Sequence, residues 1–133
     1  MPVNIKIIHT KDFVKTTTTG VLDFEASQQA IVEIAARIRQ PGEFNVLVDN
    51  RQAESLLSIG DLYELGKALA GHRALVRSRV ALLVPPQELT QALFFEDVAA
   101  NRGVNIKVFA DFEQAITWLM DAPAQPETTT PSS

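Results

Sequence analysis

The sequence predicts an α/β domain built on a five-stranded mixed sheet, and three observations carry that prediction. Short apolar runs suited to strands alternate with longer segments of helical period, in the order β-β-α-β-α-β-α-β-α. Glycine, proline and capping residues punctuate the junctions between them. The 133 residues, 46% apolar and 21% charged, suffice for one hydrophobic core. Alternating strands and helices require parallel pairing through right-handed crossovers, and an opening hairpin adds one antiparallel edge strand.

Residues Asn4 to His9 alternate apolar and polar, and Phe13 to Thr19 is rich in β-branched side chains. Thr10-Lys11-Asp12 between them reads as a turn, and Gly20 as the end of the second strand. Asp23 is the expected N-cap of a helix whose inward stripe is Phe24, Ile31, Ile34, Ala35 and Ile38, stopped by Pro41-Gly42. Phe44 to Val48 suits a strand buried on both faces, ending at Asp49. Ser58-Ile59-Gly60-Asp61 opens a second helix with a capping-box pattern, its buried face supplied by Leu62, Leu65 and Leu69 and its stop by Gly71. Of the six glycines, scattered as turns and helix stops, Gly66 is the one in a helix interior. Arg79 to Val84 is a further buried strand, closed by Pro85-Pro86. A third helix follows from about Glu88 to Arg102, stopped by Gly103, and Asn105 to Phe109 is the last strand. Asp111 caps a final helix that turns Phe112, Ala115, Ile116 and Leu119 inward. The domain is expected to span residues 1–121. Residues 122–133, rich in Pro, Thr and Ser, are expected to form a disordered tail.

A net charge of −4 supplies no basic footprint for nucleic acid. Without cysteine there is neither a disulfide nor a thiolate metal site, which suits a reducing compartment. The opening residues lack a signal-peptide pattern and no run reaches the roughly 18 apolar residues of a membrane span, so the expected location is the cytoplasm. No phosphate-binding glycine loop and no nucleophile elbow is visible, so no cofactor is expected. His9 and His72 are far apart in sequence and read as polar residues at a strand end or on the surface, with no metal. Asp49 stands at a strand's carboxyl end, where α/β enzymes often place catalytic groups, but Asp49-Asn50 also starts turns. No catalytic residue is assigned.

Two features stand out. Ser58 at a helix start can act as a plain cap; a phosphate on its oxygen would also face the helix's partial positive charge, which makes it a candidate switch. In the third helix, Leu89, Ala92, Phe95 and Ala99 share the face that covers the sheet. Phe94 and Val98 lie nearly opposite, with Leu93 on the flank. Either a neighbouring helix covers that second apolar side or it is a surface for association.

Arg79-Val80-Ala81-Leu82-Leu83-Val84 resembles the Arg-x-Ala-apolar strand of the SpoIIAA-like branch of the STAS fold. Phe95 to Gly103, Val108-Phe109-x-Asp111 and Ala115-x-x-Trp118-Leu119 are similar to that family's closing signature, and Asn45 to Asp49 to its central strand. The resemblance implies a sheet in sequential order with helices largely on one face, and kinship with lipid-carrying CRAL-TRIO (Sec14-type) domains. It also implies a phosphoacceptor at Ser58, because anti-sigma-factor antagonists carry Asp-Ser-Ser/Thr-Gly where this chain has Leu57-Ser58-Ile59-Gly60. Ser58 and Gly60 match, whereas Leu57 and Ile59 replace the acidic and the second hydroxyl residue.

The expected function is a non-catalytic, regulatory interaction module that docks a protein partner through Leu57, Ile59, Leu62, Leu93, Phe94 and Val98. A homodimer through Phe94 is one expected use of that surface. The alternative is a carrier of an apolar ligand or a reversible membrane associate, with the third helix as a lid over a pocket between helix and sheet. An enzyme ranks third. One expectation concerns the tail: ordering each residue would cost ~1–2 kcal/mol of backbone entropy, with little apolar surface to offset it. A chain ending at Ala122 should therefore keep the full-length melting temperature, and a fall of more than a few degrees in a thermal scan would show that the tail docks.

Overall fold

The alternating pattern resolves into five strands and five helices in a computed structural model that describes residues 4–9, 13–38, 45–76 and 78–120. The strands are β1 (Asn4–His9), β2 (Phe13–Leu22), β3 (Asn45–Ser55), β4 (Arg79–Leu83) and β5 (Asn105–Phe109). The helices are α1 (Phe24–Ala36), α2 (Ile59–Ala70), the short α3 (Arg73–Val76), α4 (Leu89–Ala100) and α5 (Phe112–Met120). The sheet order is β1-β2-β3-β4-β5, with β1 antiparallel to β2 and every other pair parallel. This is the five-stranded mixed sheet expected from the alternation.

Burial explains the strand sequences. Val46, Val80 and Ile106 face a core layer with Ile31 and Ile34 of α1, Leu65 and Leu69 of α2 and Ala99 of α4. Leu47, Ala81, Leu83 and Phe109 face the opposite way, against Ala115 and Leu119 of α5. Strands covered on both faces have no polar side to show, so Val46 to Val48 in the first half of β3 and Val80 to Leu83 of β4 read as continuous apolar runs. Asn45 and Arg79, at the starts of those strands, hold the end of α5. Asn45 Nδ2 donates to the Leu119 carbonyl at 3.3 Å and Arg79 Nη1 to the Trp118 carbonyl at 3.1 Å. These bonds satisfy carbonyls that a helix C-terminus leaves without intrahelical partners.

The caps follow local rules. Asp23 Oδ1 accepts from the Ala26 N–H at 2.8 Å, and Asp111 Oδ2 from the Gln114 N–H at 3.1 Å. Gly103, at φ +96°, closes α4 in a Schellman turn: the Val104 N–H reaches the Ala99 carbonyl and the Gly103 N–H reaches that of Ala100. At the sheet's free edge, the Val108 N–H of β5 donates to Glu96 Oε1 of α4 at 2.7 Å.

Several boundaries differ from the sequence reading. Gly20 does not end β2, which runs on to Leu22. The β2–β3 register slips between Thr17 and Thr19, where β3 carries the extra residue (Thr17 pairs with Asp49 and Thr19 with Gln52), and Gly20 adopts φ +91° beside that irregularity. β3 likewise passes Asp49 and reaches Ser55, because its second half pairs with the continued β2. The third predicted helix is α4, shorter at both ends and preceded by a 3₁₀ turn over Pro86–Glu88. The expected turn at residues 10–12, the stop at Pro41-Gly42, Phe44 and the tail at 122–133 lie outside the described residues.

α2 and α4 pack at a distance that only glycine permits. A Cβ on Gly66 would lie 2.6 Å from Val98 Cγ1 and 2.9 Å from Val98 Cβ. Gly66→Ala should therefore destabilise by about 1–3 kcal/mol, the usual cost of overpacking. Adding Val98→Ala should return part of that loss, so the two changes together should cost less than their sum. Urea titration of the four proteins tests the coupling, and strict additivity would show that the helices do not meet there.

Candidate functional site

The N-terminus of α2 is shaped by one reciprocal cap. Ser58 Oγ accepts from the Asp61 N–H at 3.0 Å, and Asp61 Oδ2 accepts from the Ser58 N–H at 3.0 Å. Aspartate thus closes the box that glutamate usually closes. Ser58 is exposed, and so are Leu56 and Ile59 on either side of it, with Leu57 between them half-buried. Leu56 is 58% and Ile59 57% accessible, and Tyr63, one turn beyond Ile59, is exposed as well. The Tyr63 ring lies under the Arg102 guanidinium, 5.2 Å from its centroid, and Arg102 Nη2 donates to Tyr63 Oη at 3.1 Å. Lys67 Nζ sits 5.4 Å from the same ring. The first turns of α2 thus expose apolar side chains beside the Ser58 cap, with Arg102 and Lys67 against the Tyr63 ring.

Not all the expected surface residues belong to this patch. Ile59 and Leu93 are exposed, and Leu57 and Phe94 are half-buried. Leu62 and Val98 are corrections: at 6% and 7% accessible they are core residues. Leu62 lies on the buried stripe of α2 with Leu65 and Leu69, and Val98 fills the space over Gly66. α2 therefore covers the second apolar side of α4 at Val98. Leu56 and Tyr63 were missed by sequence reasoning, although Tyr63 follows Ile59 by four residues and so shares its helix face.

The same layer encloses a cavity of about 120 Å³ between α1, α2, α4 and the sheet. Its walls are mostly aliphatic, but Thr16, Ser27 and Asn50 also line it. Nothing in the sequence singled these residues out. Within Thr16-Thr17-Thr18-Thr19 only the strand register decides which hydroxyls turn inward, here Thr16 and Thr18.

Asp49 is buried on the opposite, α5 side of the sheet. Arg51 Nε and Nη2 donate to its two carboxylate oxygens at 2.9 Å each, and the Arg51 N–H adds a bond of 3.1 Å to Oδ1. Burial alone would push the Asp49 pKa up. The bonds from the Arg51 side chain and backbone, with the charges of Arg51 and Lys15, outweigh it and hold the carboxyl below its ordinary value. Both cations also lie over Phe112, each 5.6 Å from the ring centroid. Asp49 is thus committed to an ion pair. His9 ends β1, and half-exposed His72 precedes α3. Among the described residues no group of three or more His, Asp or Glu side chains is placed to hold a metal, and no helix is long and apolar enough to cross a membrane.

Comparison with solved structures fixes the fold. An uncharacterised protein of the DUF3478 family with a SpoIIAA-like fold, from Shewanella loihica PV-4, superposes with a TM-score of 0.53 at 21% identity, covering 88% of this chain and 93% of that one. An anti-sigma factor antagonist from Mycobacterium paratuberculosis gives 0.58 at 13% identity, over 90% and 96% of the two chains. The anti-sigma factor antagonist SpoIIAA in its unphosphorylated form gives 0.55 at 18% identity, over 89% and 97%. No protein-family model and no curated protein sequence matches the chain. The chain has the SpoIIAA-like, STAS-type α/β fold.

The ion pair generates a pH prediction. A carboxyl whose folded pKa is depressed stabilises the fold above its unfolded value of about 3.9, and that contribution fades as pH falls through the folded value. Asp49→Asn should lower stability at neutral pH, and its deficit relative to wild type should shrink below about pH 4. Urea titrations across that range check this, and a deficit independent of pH would rule out the ion pair as its source.

Proposed function

We infer that this chain is a non-catalytic, cytoplasmic regulatory module that docks a protein partner over the N-terminus of α2. The observation that carries the reading is the exposure of Leu56, Ile59 and Tyr63 around the accessible cap Ser58. Contiguous exposed apolar groups mark interaction sites more often than isolated ones do. The fold is shared with two anti-sigma factor antagonists, which supports a regulatory role, although fold kinship alone does not assign one. The buried carboxylate on β3 supports the non-catalytic side, because Asp49 is held by Arg51.

Ser58 is the switch in this reading. A phosphate there adds a charge of about −2 at a helix N-terminus, where the dipole favours it. The fold therefore tolerates the modification, while a partner seated on Leu56 and Ile59 meets a new, strongly hydrated charge. Leu57, in place of the usual acidic neighbour, means that a kinase would recognise an apolar flank.

Ser58→Asp and Ile59→Glu should each keep the wild-type melting temperature within a few degrees and lose the partner captured from the native host. Ser58→Ala should retain it. Affinity capture with quantitative mass spectrometry of the four baits makes the comparison. Equal capture by Ser58→Asp and wild type, with no phosphate on Ser58 from native cells, would reduce the residue to a cap.

A further inference from the structure

The first turn of α2, Ile59 to Asp61, is held mainly by its cap. Ile59 and Gly60 are exposed and Asp61 is half-buried, so the first side chain of the helix to enter the core is that of Leu62. Gly60 has nothing to pack and is a poor helix former, because glycine loses the most backbone freedom on ordering. What secures the turn is the reciprocal pair, Asp61 N–H to Ser58 Oγ and Ser58 N–H to Asp61 Oδ2, each at 3.0 Å. The first backbone bond of the helix, from the Leu62 N–H to the Ser58 carbonyl, lies just beyond it, also at 3.0 Å. Two of these three bonds run through the side chains of Ser58 and Asp61. The position of exposed Ile59 therefore depends on a hydroxyl that can be modified and on a carboxylate bound beside it. The ion pairs among the described residues, Asp49–Arg51 and Glu64–Lys67, leave that carboxylate without a cation.

We propose that phosphorylation of Ser58 drives the Asp61 carboxylate out of the cap and releases the first turn of α2, so that the docking surface loses the placement of Ile59 as well as gaining a charge. This rests on the reading of Ser58 as a switch and adds how the switch acts. In the covalent step a kinase transfers the terminal phosphoryl group of a nucleoside triphosphate to Oγ. An O–P bond replaces the O–H bond, the proton goes to solvent and the nucleoside diphosphate leaves. The phosphate then shares one hydrogen-bonded ring with a carboxylate, and neither ionised group can donate to the other. The helix N-terminus offers the phosphate about half a positive charge, whereas Asp61 sets a full negative charge against it. Repulsion wins, and no buried side chain in the turn resists it. The carboxylate leaves, and the Ser58 N–H loses its acceptor. With asparagine at position 61 the phosphate meets a neutral amide that can donate to it, and the turn stays in place. From Leu62 onward the helix is anchored by Leu65 and Leu69 in the core, so the release stops there.

The test uses the full chain, isotope-labelled for nuclear magnetic resonance, with phosphoserine incorporated at position 58 by suppression of an amber codon. The unmodified chain and the same two forms carrying Asp61→Asn complete the set. In the phosphorylated wild type the amides of Asp61 and Leu62 should exchange with solvent about ten-fold faster than in the unmodified chain, the size expected of a phosphate held against a carboxylate in water. The amides of Leu65 and Leu69 and the melting temperature should change little. With Asp61→Asn, phosphorylation should leave the exchange at residues 61 and 62 unchanged or slower. Unaltered exchange in the phosphorylated wild type would overturn the proposal. Equal acceleration with aspartate and asparagine would overturn it as well, since the phosphate alone would then open the turn. So would acceleration extending to Leu65 and Leu69, which would mean that the release is not local. Neither a kinase nor a partner enters the measurement, so its failure leaves the docking surface standing with charge as its only switch, and a failed partner capture leaves this result untouched.

Discussion

Every parallel crossover in this molecule advances by one strand in the same direction, and that constraint places everything else. A right-handed path through sequential strands returns each connecting helix on the same side, so α1, α2 and α4 share one face of the sheet. The other face would lie bare over β3, β4 and β5 if the chain ended at β5. α5 supplies its cover, which is why its last turn is tied to the strand starts through Asn45 and Arg79. These two residues are neither buried core nor solvent-facing. They attach the covering helix to the sheet.

Three helices over one face leave the middle one little room. α2 is packed between α1 and α4, and the close approach at Gly66 follows from that position. The packing also sorts the side chains of α2. Leu62, Leu65 and Leu69 go into the core, and Ile59 and Tyr63 remain outside because no further helix covers them. The exposed patch and the cavity are therefore two results of the same arrangement, one on the outside of the helix layer and one beneath it.

Much of this was legible in the residues. Buried strands announced themselves in the runs Phe44 to Val48 and Arg79 to Val84, because a strand covered on both faces cannot alternate. Asp23, Ser58, Gly103 and Asp111 marked helix ends through chemistry that acts within one turn. Strand length was not legible beyond Gly20 and Asp49, since the continuation of β2 and β3 depends on each strand finding the other. The burial of Leu62 and Val98 depended on which helices become neighbours, a property of the sheet order and not of either helix alone. The α2 patch was partly visible: Ile59 was expected at the surface, Leu56 and Tyr63 were not. The cavity was invisible, because four consecutive threonines carry no record of which two face inward.

The bond from the Val108 N–H to Glu96 has a consequence for how these molecules meet one another. β5 is the last strand of the sheet, and an open strand edge is a template on which another chain can lay a strand of its own. By sending a carboxylate from α4 to that backbone donor, the molecule occupies one rung of the edge ladder with a charged side chain from its own helix. A strand approaching β5 would have to displace a charge-assisted hydrogen bond and bury the carboxylate it releases. Glu96 thus acts as a guard against lengthening of the sheet from copy to copy.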